Sequence, residues 1–292
     1  YRAPNKNYYL LAVSGQKSKP RSDSRRSFKG DSDVVMIITP LKTKKLLPPK
    51  DDLFAIMRKA IKRIPERSIL GITSKVVSIH EGRCIPIENV PDKDKLIMAE
   101  ADYYLPRDKK TPWVLHTIKH NLLIPTAGID ESNANGFYIL WPKDPMQSAR
   151  EIYRWARKTY GVKNCGVVIT DSRSGLLHRG VMGICLAYAG FAPLNDYRGE
   201  KDLFGRDFHV SQTNIADGIA TAAVLAMGEG AEQMPMALIT DIPFVTFQQK
   251  PYTSRKPFSS FEIPMKEDMY APFFTHMKWR KGGMGKKGKN IA

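Results

Sequence analysis

Two aspartates stand where apolar runs hand over to polar ones. One follows Thr126-Ala-Gly-Ile in Thr126-Ala-Gly-Ile-Asp-Glu-Ser-Asn133 and the other follows Val167-Val-Ile-Thr in Val167-Val-Ile-Thr-Asp-Ser-Arg-Ser-Gly175. Carboxylates held by rigid elements at such junctions suit a hard divalent cation, because magnesium keeps several waters and needs few protein ligands besides a bound phosphate. Asp130 and Asp171 are therefore the candidates for metal chemistry. The competing reading is local: Asp, Ser, Asn and Gly are the residues that turns prefer. Between the two runs lie a strand-like Phe137-Tyr-Ile-Leu-Trp141 and a helix with Asp144 as N-cap, Pro145 at its first position and Gly161 just past its end. Ala149, Ile152, Tyr153, Ala156 and Tyr160 share one face of that helix, as expected of a helix packed on a sheet.

The rest of the chain must position these groups. Val34 to Thr39 reads as a buried strand, and Asp51 or Asp52 caps a helix whose stripe is Leu53, Phe54, Met57, Ala60, Ile61 and Ile64, ended by Pro65. Ile69 to Ile79 is rich in β-branched residues and reads as one long strand. A helix is expected from Asp92 to Tyr104, and strands at Trp113 to Ile118 and Asn121 to Pro125. Val181 to Ala189 reads as a strand and Asn195 to Arg206 as a polar loop. A helix follows Asn214 and ends at Met227-Gly-Glu-Gly230, and Met236 to Thr240 is a short strand. Strands and helices are intermixed without the alternation of a Rossmann sheet, so the expected class is α+β with mixed sheets and packed helices.

The 292 residues carry a net charge of +17, but residues 1–30 hold +7 and His276 to Ala292 hold +6, leaving +4 on the other 245. The basicity belongs to the ends, which read as solvated tails able to add salt-sensitive affinity for a polyanion such as RNA. Apolar runs are far shorter than the ~18 residues of a membrane helix. Cys84, Cys165 and Cys185 are odd in number and widely spaced, which argues against a disulfide framework or structural zinc and fits a reducing cytoplasm. Gly283-Met-Gly-Lys-Lys-Gly-Lys-Asn290 nearly spells a phosphate loop, but Asn290 replaces the hydroxyl residue and no strand precedes it. Of six scattered histidines, His178 is the one kept as a candidate.

Several blocks together resemble a known family: Thr73-Ser-Lys-Val-Val-Ser78 with Glu81-Gly-Arg83, Ala127-Gly-Ile-Asp-Glu-Ser-Asn133, Asp171-Ser172, Arg179-Gly180, Asp196-Tyr-Arg-Gly199, Asp202-Leu-Phe-Gly-Arg206 and Met227-Gly-Glu-Gly230. In this order, across Val34 to Phe247, they resemble the γ-glutamyl ligases of coenzyme F-420, and most nearly a bacterial branch named for folate metabolism. The resemblance implies an α+β fold and a homodimer. It also implies a GTP-dependent ligase, using magnesium or manganese, that joins L-glutamate to a carboxylate of a pterin or deazaflavin acceptor through an acyl phosphate. It further implies Asp130, Asp171, Ser172 and Glu229 as metal ligands. Lys75, Arg83, Asn133, Arg173 and Arg179 are then candidates for phosphate or carboxylate contacts, with Lys75, Arg173 and Arg179 catalytic, because Arg offers a planar fork and Lys a point charge. Asp196 and Asp202 are candidate nucleotide contacts. Residues 34–250 would be the ligase-like domain, whole or as two intertwined subdomains, between a flexible basic arm at 1–33 and an irregular extension with a basic tail at 251–292. The family usually shows Phe-Gly-Arg-Pro after Asp-Ser where this chain has Arg173-Ser-Gly-Leu176, so the acceptor, and GTP against ATP, stay open. The alternative from another class is an RNA-associated or assembly protein on an inactive ligase scaffold, motivated by the basic ends.

Overall fold

A computed structural model describes residues 9–13, 34–248 and 261–283. In chain order the first half contains β1 (Tyr9–Val13), β2 (Val34–Leu41), α1 (Leu53–Ala60), β3 (Ser68–Thr73), α2 (Ser74–Glu81), β4 (Cys84–Pro86), α3 (Lys93–Glu100), β5 (Tyr103–Tyr104), β6 (His116–Lys119), β7 (Leu122–Pro125) and β8 (Phe137–Ile139). The second half contains α4 (Pro145–Tyr160), β9 (Cys165–Ser174), β10 (Val181–Ala189), β11 (Leu194–Asp196), β12 (Gln212–Asn214), α5 (Ile215–Met227), β13 (Met236–Thr240), α6 (Ala271–Thr275) and β14 (Arg280–Lys281). The expected α+β class with mixed sheets is what the chain adopts.

Six strands form the main sheet in the order β1-β2-β13-β3-β9-β10. All neighbours are antiparallel except β3 and β9, which run parallel from Ser68 beside Cys165 to Thr73 beside Thr170. Alternation along the strands feeds two cores, since successive side chains in a strand point to opposite faces. Leu70, Ile72, Val167 and Ile169 pack with α1 and α4, while Ile69 and Val168 pack with the alanine-rich face of α5. A smaller sheet, β14-β5-β6-β7, stands beside a third cluster that includes Ile97, Ala101, Leu115, Ile129 and Leu140.

Helix ends follow their signals. Asp144 caps α4 by accepting from the Gln147 N–H, Pro145 opens it, and Gly161 ends it in the left-handed conformation. Asn214 caps α5 in the same way, through the Asp217 N–H. Four elements differ from expectation. The stretch Ile69 to Ile79 is not one strand: pairing stops at Thr73 and α2 begins at Ser74, closed by Gly82 at φ 71°. Ser74, Val76, Val77, Ser78 and Ile79 are all buried, so α2 is enclosed on most faces and shows no helical period. The first helix stops at Ala60 rather than Pro65, because Ile61 turns extended; Ile61 and Ile64 still reach the core. The third stops at Glu100, and Tyr103–Tyr104 instead pair with β6 and β14. β9 does not end at Asp171 but continues to Ser174 against β10.

Smaller departures have the same origin in pairing. Trp113 is exposed and lies outside β6, Leu194–Asp196 pairs with Gln212–Asn214, and the extension supplies α6 and β14. Order was expected from Val34, yet β1 pairs with β2 inside the stretch read as a flexible arm. Residues 14–33 and the basic tail beyond 283 lie outside the described residues. Among the described residues no helix is long and apolar enough to cross a membrane.

Candidate active site

The parallel pair decides where chemistry can sit. Thr73 and Thr170 are in register, so Lys75 at the start of α2 and Asp171-Ser172, where β9 runs on past its pairing with β3, lie at the same end of the parallel pair. The carboxyl ends of parallel strands are where open α/β sheets bind ligands. A cavity of about 490 Å³ opens there, between the β2–α1 loop, the start of α2, the segment from Gly128 to Asn135, Trp141, and the loop after α5.

Asp130 is fixed first through its backbone, which exchanges two hydrogen bonds with Ile139 at 3.0 and 2.8 Å. Its carboxylate accepts from the Ser132 N–H at 2.7 Å and the Ser132 hydroxyl at 2.8 Å, and pairs with the Lys75 ammonium at 2.7 Å. Lys75 also donates to the Ser132 carbonyl at 2.8 Å. Asn133 takes φ 52°, a conformation Asn tolerates better than most residues, and its side-chain amide donates to the Gly230 carbonyl at 2.9 Å. That bond ties the Asp130 loop to the loop carrying Glu229. Glu229 follows the C-cap Gly228 and accepts from the Ser172 hydroxyl at 3.2 Å. Asp171 accepts from the Ser172 N–H at 2.9 Å and from the Trp141 indole N–H.

Burial pushes the acidity of these groups in one direction, and partners decide the outcome. For Asp130 burial acts upward, but the hydrogen bond and charge of Lys75 and the Ser132 donors hold it below the usual carboxylate range. Asp171 faces the cavity with part of its surface, yet is otherwise enclosed by protein. Burial, helped by the charges of Asp130 and Glu229, pushes it up to about 7 against the Ser172 and Trp141 donors. Burial likewise raises Glu229, with Asp130 and Glu232 adding to it and Ser172 and Lys75 opposing.

Lys75, Asp130, Asn133, Asp171, Ser172 and Glu229 therefore line one cavity. The other candidates stand elsewhere. Arg83 donates to the Trp141 carbonyl at 3.1 Å and pairs with Glu100 at 2.7 Å. Arg173 reaches the Leu123 carbonyl, and Arg179 and His178 lie exposed between β9 and β10. Asp196 pairs with Arg198, and Asp202 accepts from the Phe204 and Arg206 N–H groups of its own loop. The cavity also contains Trp141, Lys44, Lys45 and Glu232, which motif reading did not single out. A tryptophan at a strand end reads as core, and a lysine pair in a loop reads as solvated surface. Among the described residues no three His, Cys, Asp or Glu side chains are grouped closely enough to hold a metal ion.

A mixed sheet whose parallel pair brings Lys75 and Asp171 into one cavity, where loops add Asp130 and Glu229, has the ground plan of an enzyme for charged substrates. Residues 41–241, which contain the whole cavity lining, match the family described as F420-0:gamma-glutamyl ligase. The chain is 31% identical over 216 residues to the coenzyme F420:L-glutamate ligase of Methanopyrus kandleri, covering 69% of this chain and 85% of that protein. It is 32% identical over 216 residues to the same-named protein of Archaeoglobus fulgidus, covering 69% and 86%. With that of Methanocaldococcus jannaschii it shares 32% over 203 residues, covering 62% and 79%. The chain belongs to the F420-0:γ-glutamyl ligase family, and so to the enzymes that form carbon–nitrogen bonds.

Proposed function

We propose that the chain joins L-glutamate to a carboxylate of an F-420-type deazaflavin acceptor, consuming GTP with a magnesium or manganese ion. The observation that carries this is the gathering of three carboxylates and a lysine in one cavity inside the matched span. The donor set of Asp130, Asp171, Glu229 and the Ser172 hydroxyl is all oxygen, which suits a hard cation, although binding one would have to draw these side chains closer together than they now stand. Burial, with a smaller contribution from neighbouring carboxylates, raises Asp171 and Glu229, and such a cation would offset that penalty. When bound, the ion would neutralise charge on the transferring phosphoryl group.

The reaction follows from the functional groups. The acceptor carboxylate attacks the γ-phosphorus and GDP leaves; the glutamate α-amine then attacks the acyl carbon, phosphate leaves, and the amine gives up its proton. Lys75 already points its ammonium at Asp130 and Ser132, a place from which it can meet phosphoryl oxygens. Lys44 and Lys45 line the same cavity and add positive charge for an anionic substrate. Arg173 and Arg179 stand off this cavity, so the charge-neutralising role falls to the lysines. A homodimer is part of the same reading: Leu176 and Leu177 beside Arg179, and Leu203 and Phe204 beside Asp202, are exposed apolar pairs fit to meet a second copy.

Purified protein with GTP, manganese and glutamate, offered F420-0 or a reduced folate, tests the reading by product mass. Gain of one glutamyl residue on F420-0 with release of GDP is the expected result. Gain on the folate alone reassigns the acceptor, and no gain with no GDP overturns the ligase.

A further inference from the structure

We infer that Trp141 is a positioning residue for Asp171, clamped in place by a buried ion cluster of Arg83, Glu100 and Lys119. The inference rests on the ligase reading, in which Asp171 is a metal ligand. Trp141 is 1% exposed, and a buried indole N–H needs an acceptor. It takes Oδ2 of Asp171, while Oδ1 takes the Ser172 N–H. Each carboxylate oxygen thus has one protein donor, which fixes the plane of the group and leaves capacity on both oxygens toward the cavity.

The indole is itself held on several sides. Lys119, with 2% of its side chain exposed, lies with Nζ 5.6 Å from the ring centroid, and the His120 ring stacks at 6.1 Å and 17°. Lys119 and Arg83 both bond Oε2 of Glu100, at 2.8 and 2.7 Å. Arg83 uses its remaining reach on the Trp141 carbonyl at 3.1 Å. Gly128, at φ 69°, completes the slot, since a Cβ there would run into Cε2 and Nε1 of the indole. Glu100 bonds both cations and Asp102 is a second anion near Lys119, so the group is close to balanced in charge, with the Lys119 ammonium turned to the face of the indole, where a cation is favoured. Packing alone would accept any large ring at this place; the N–H directed at a cavity carboxylate is what packing does not require. Partners that orient a metal ligand typically alter metal affinity on the order of 10-fold to 100-fold when removed.

Trp141→Phe keeps an aromatic filling and deletes the N–H. Manganese binding to the full chain without nucleotide, followed by the paramagnetic resonance of the free ion, should weaken on the order of 10-fold to 100-fold in this variant. The loss should appear in kcat at saturating glutamate more than in the glutamate KM. Affinity equal to that of the unsubstituted protein overturns the inference. Should Trp141→Phe fail to fold, the indole N–H resonance decides. It is assigned in protein carrying phenylalanine at Trp113, Trp155 and Trp279, and it should move on saturation with magnesium. An unmoved resonance under magnesium binding overturns the inference. Failure of the unsubstituted protein to bind manganese and to ligate glutamate would overturn the ligase reading itself, and is distinguishable from either outcome.

Discussion

On one wall of the cavity Asp130 is met by the Lys75 ammonium and two donors from Ser132; on the other, Asp171 is met by the uncharged Ser172 N–H and the Trp141 indole. Burial acts upward on both carboxyls. The charge of the partner separates them: Asp130 stays an anion well below neutrality, while Asp171 is pushed up to about 7. Two residues of one type, in one cavity, are thus prepared for different tasks. One is a charge with its counter-ion already present, and the other is the carboxyl that, under the proposed function, a metal ion would relieve most.

The strongest test of that contrast removes each carboxylate in turn. Asp130→Ala and Asp171→Ala should each reduce glutamate ligation by about 1,000-fold, the rate equivalent of roughly 4 kcal/mol of lost charge stabilisation. Their thermal midpoints should differ: Asp130→Ala strands the Lys75 ammonium and should melt lower, whereas Asp171→Ala trades the cost of a buried carboxyl for an unpaired Trp141 indole N–H and should shift the midpoint less. Near-full ligation in either variant would break the comparison. Gly128→Ala should cost about 3 kcal/mol in urea unfolding, from a left-handed φ and from displacement of the indole beneath Asp171. Lys75→Met should cost less, about 1 kcal/mol, since the Asp130 side chain is 42% exposed and water screens the pair.

The smallest effect lies in pH dependence, and the two aspartates should show it with opposite sign. A raised carboxyl contributes stability that is fully present below its unfolded pKa, near 4, and is lost as pH rises. Asp171 should therefore withdraw stability between about pH 4 and about 7. A lowered carboxyl contributes above its unfolded value and loses that contribution as pH falls, which is the case for Asp130. Midpoints measured across this range should decline less with rising pH in Asp171→Asn, and decline less with falling pH in Asp130→Asn. Identical profiles would mean that the two sites share one environment.

What could be read from the sequence was local. Asp144, Pro145 and Gly161 fix both ends of α4 because each acts on the backbone beside it, and Asn214 starts α5 for the same reason. α2 was hidden because a helix buried on most faces has no polar side to mark its period. At the site, the motif residues that line the cavity were legible as strand and helix ends, although their convergence depends on pairings such as Thr73 with Thr170, 97 positions apart. Nothing around Trp141 announces that its N–H will find Asp171, and nothing around Arg83 announces Glu100. Both partners are chosen by the fold, so the guanidinium expected at a substrate is used to hold a tryptophan.

The order of strands in the main sheet also bears on how the chain is made. β2 and β3 are early and close in sequence but do not touch; β13 lies between them, paired to both. During synthesis the sheet keeps a gap one strand wide until Thr240 has left the ribosome. Until then the facing edges of Val34–Leu41 and Ser68–Thr73 would offer unpaired backbone groups to a neighbouring nascent chain, which makes the arrival of β13, rather than local collapse, the event that closes the main sheet.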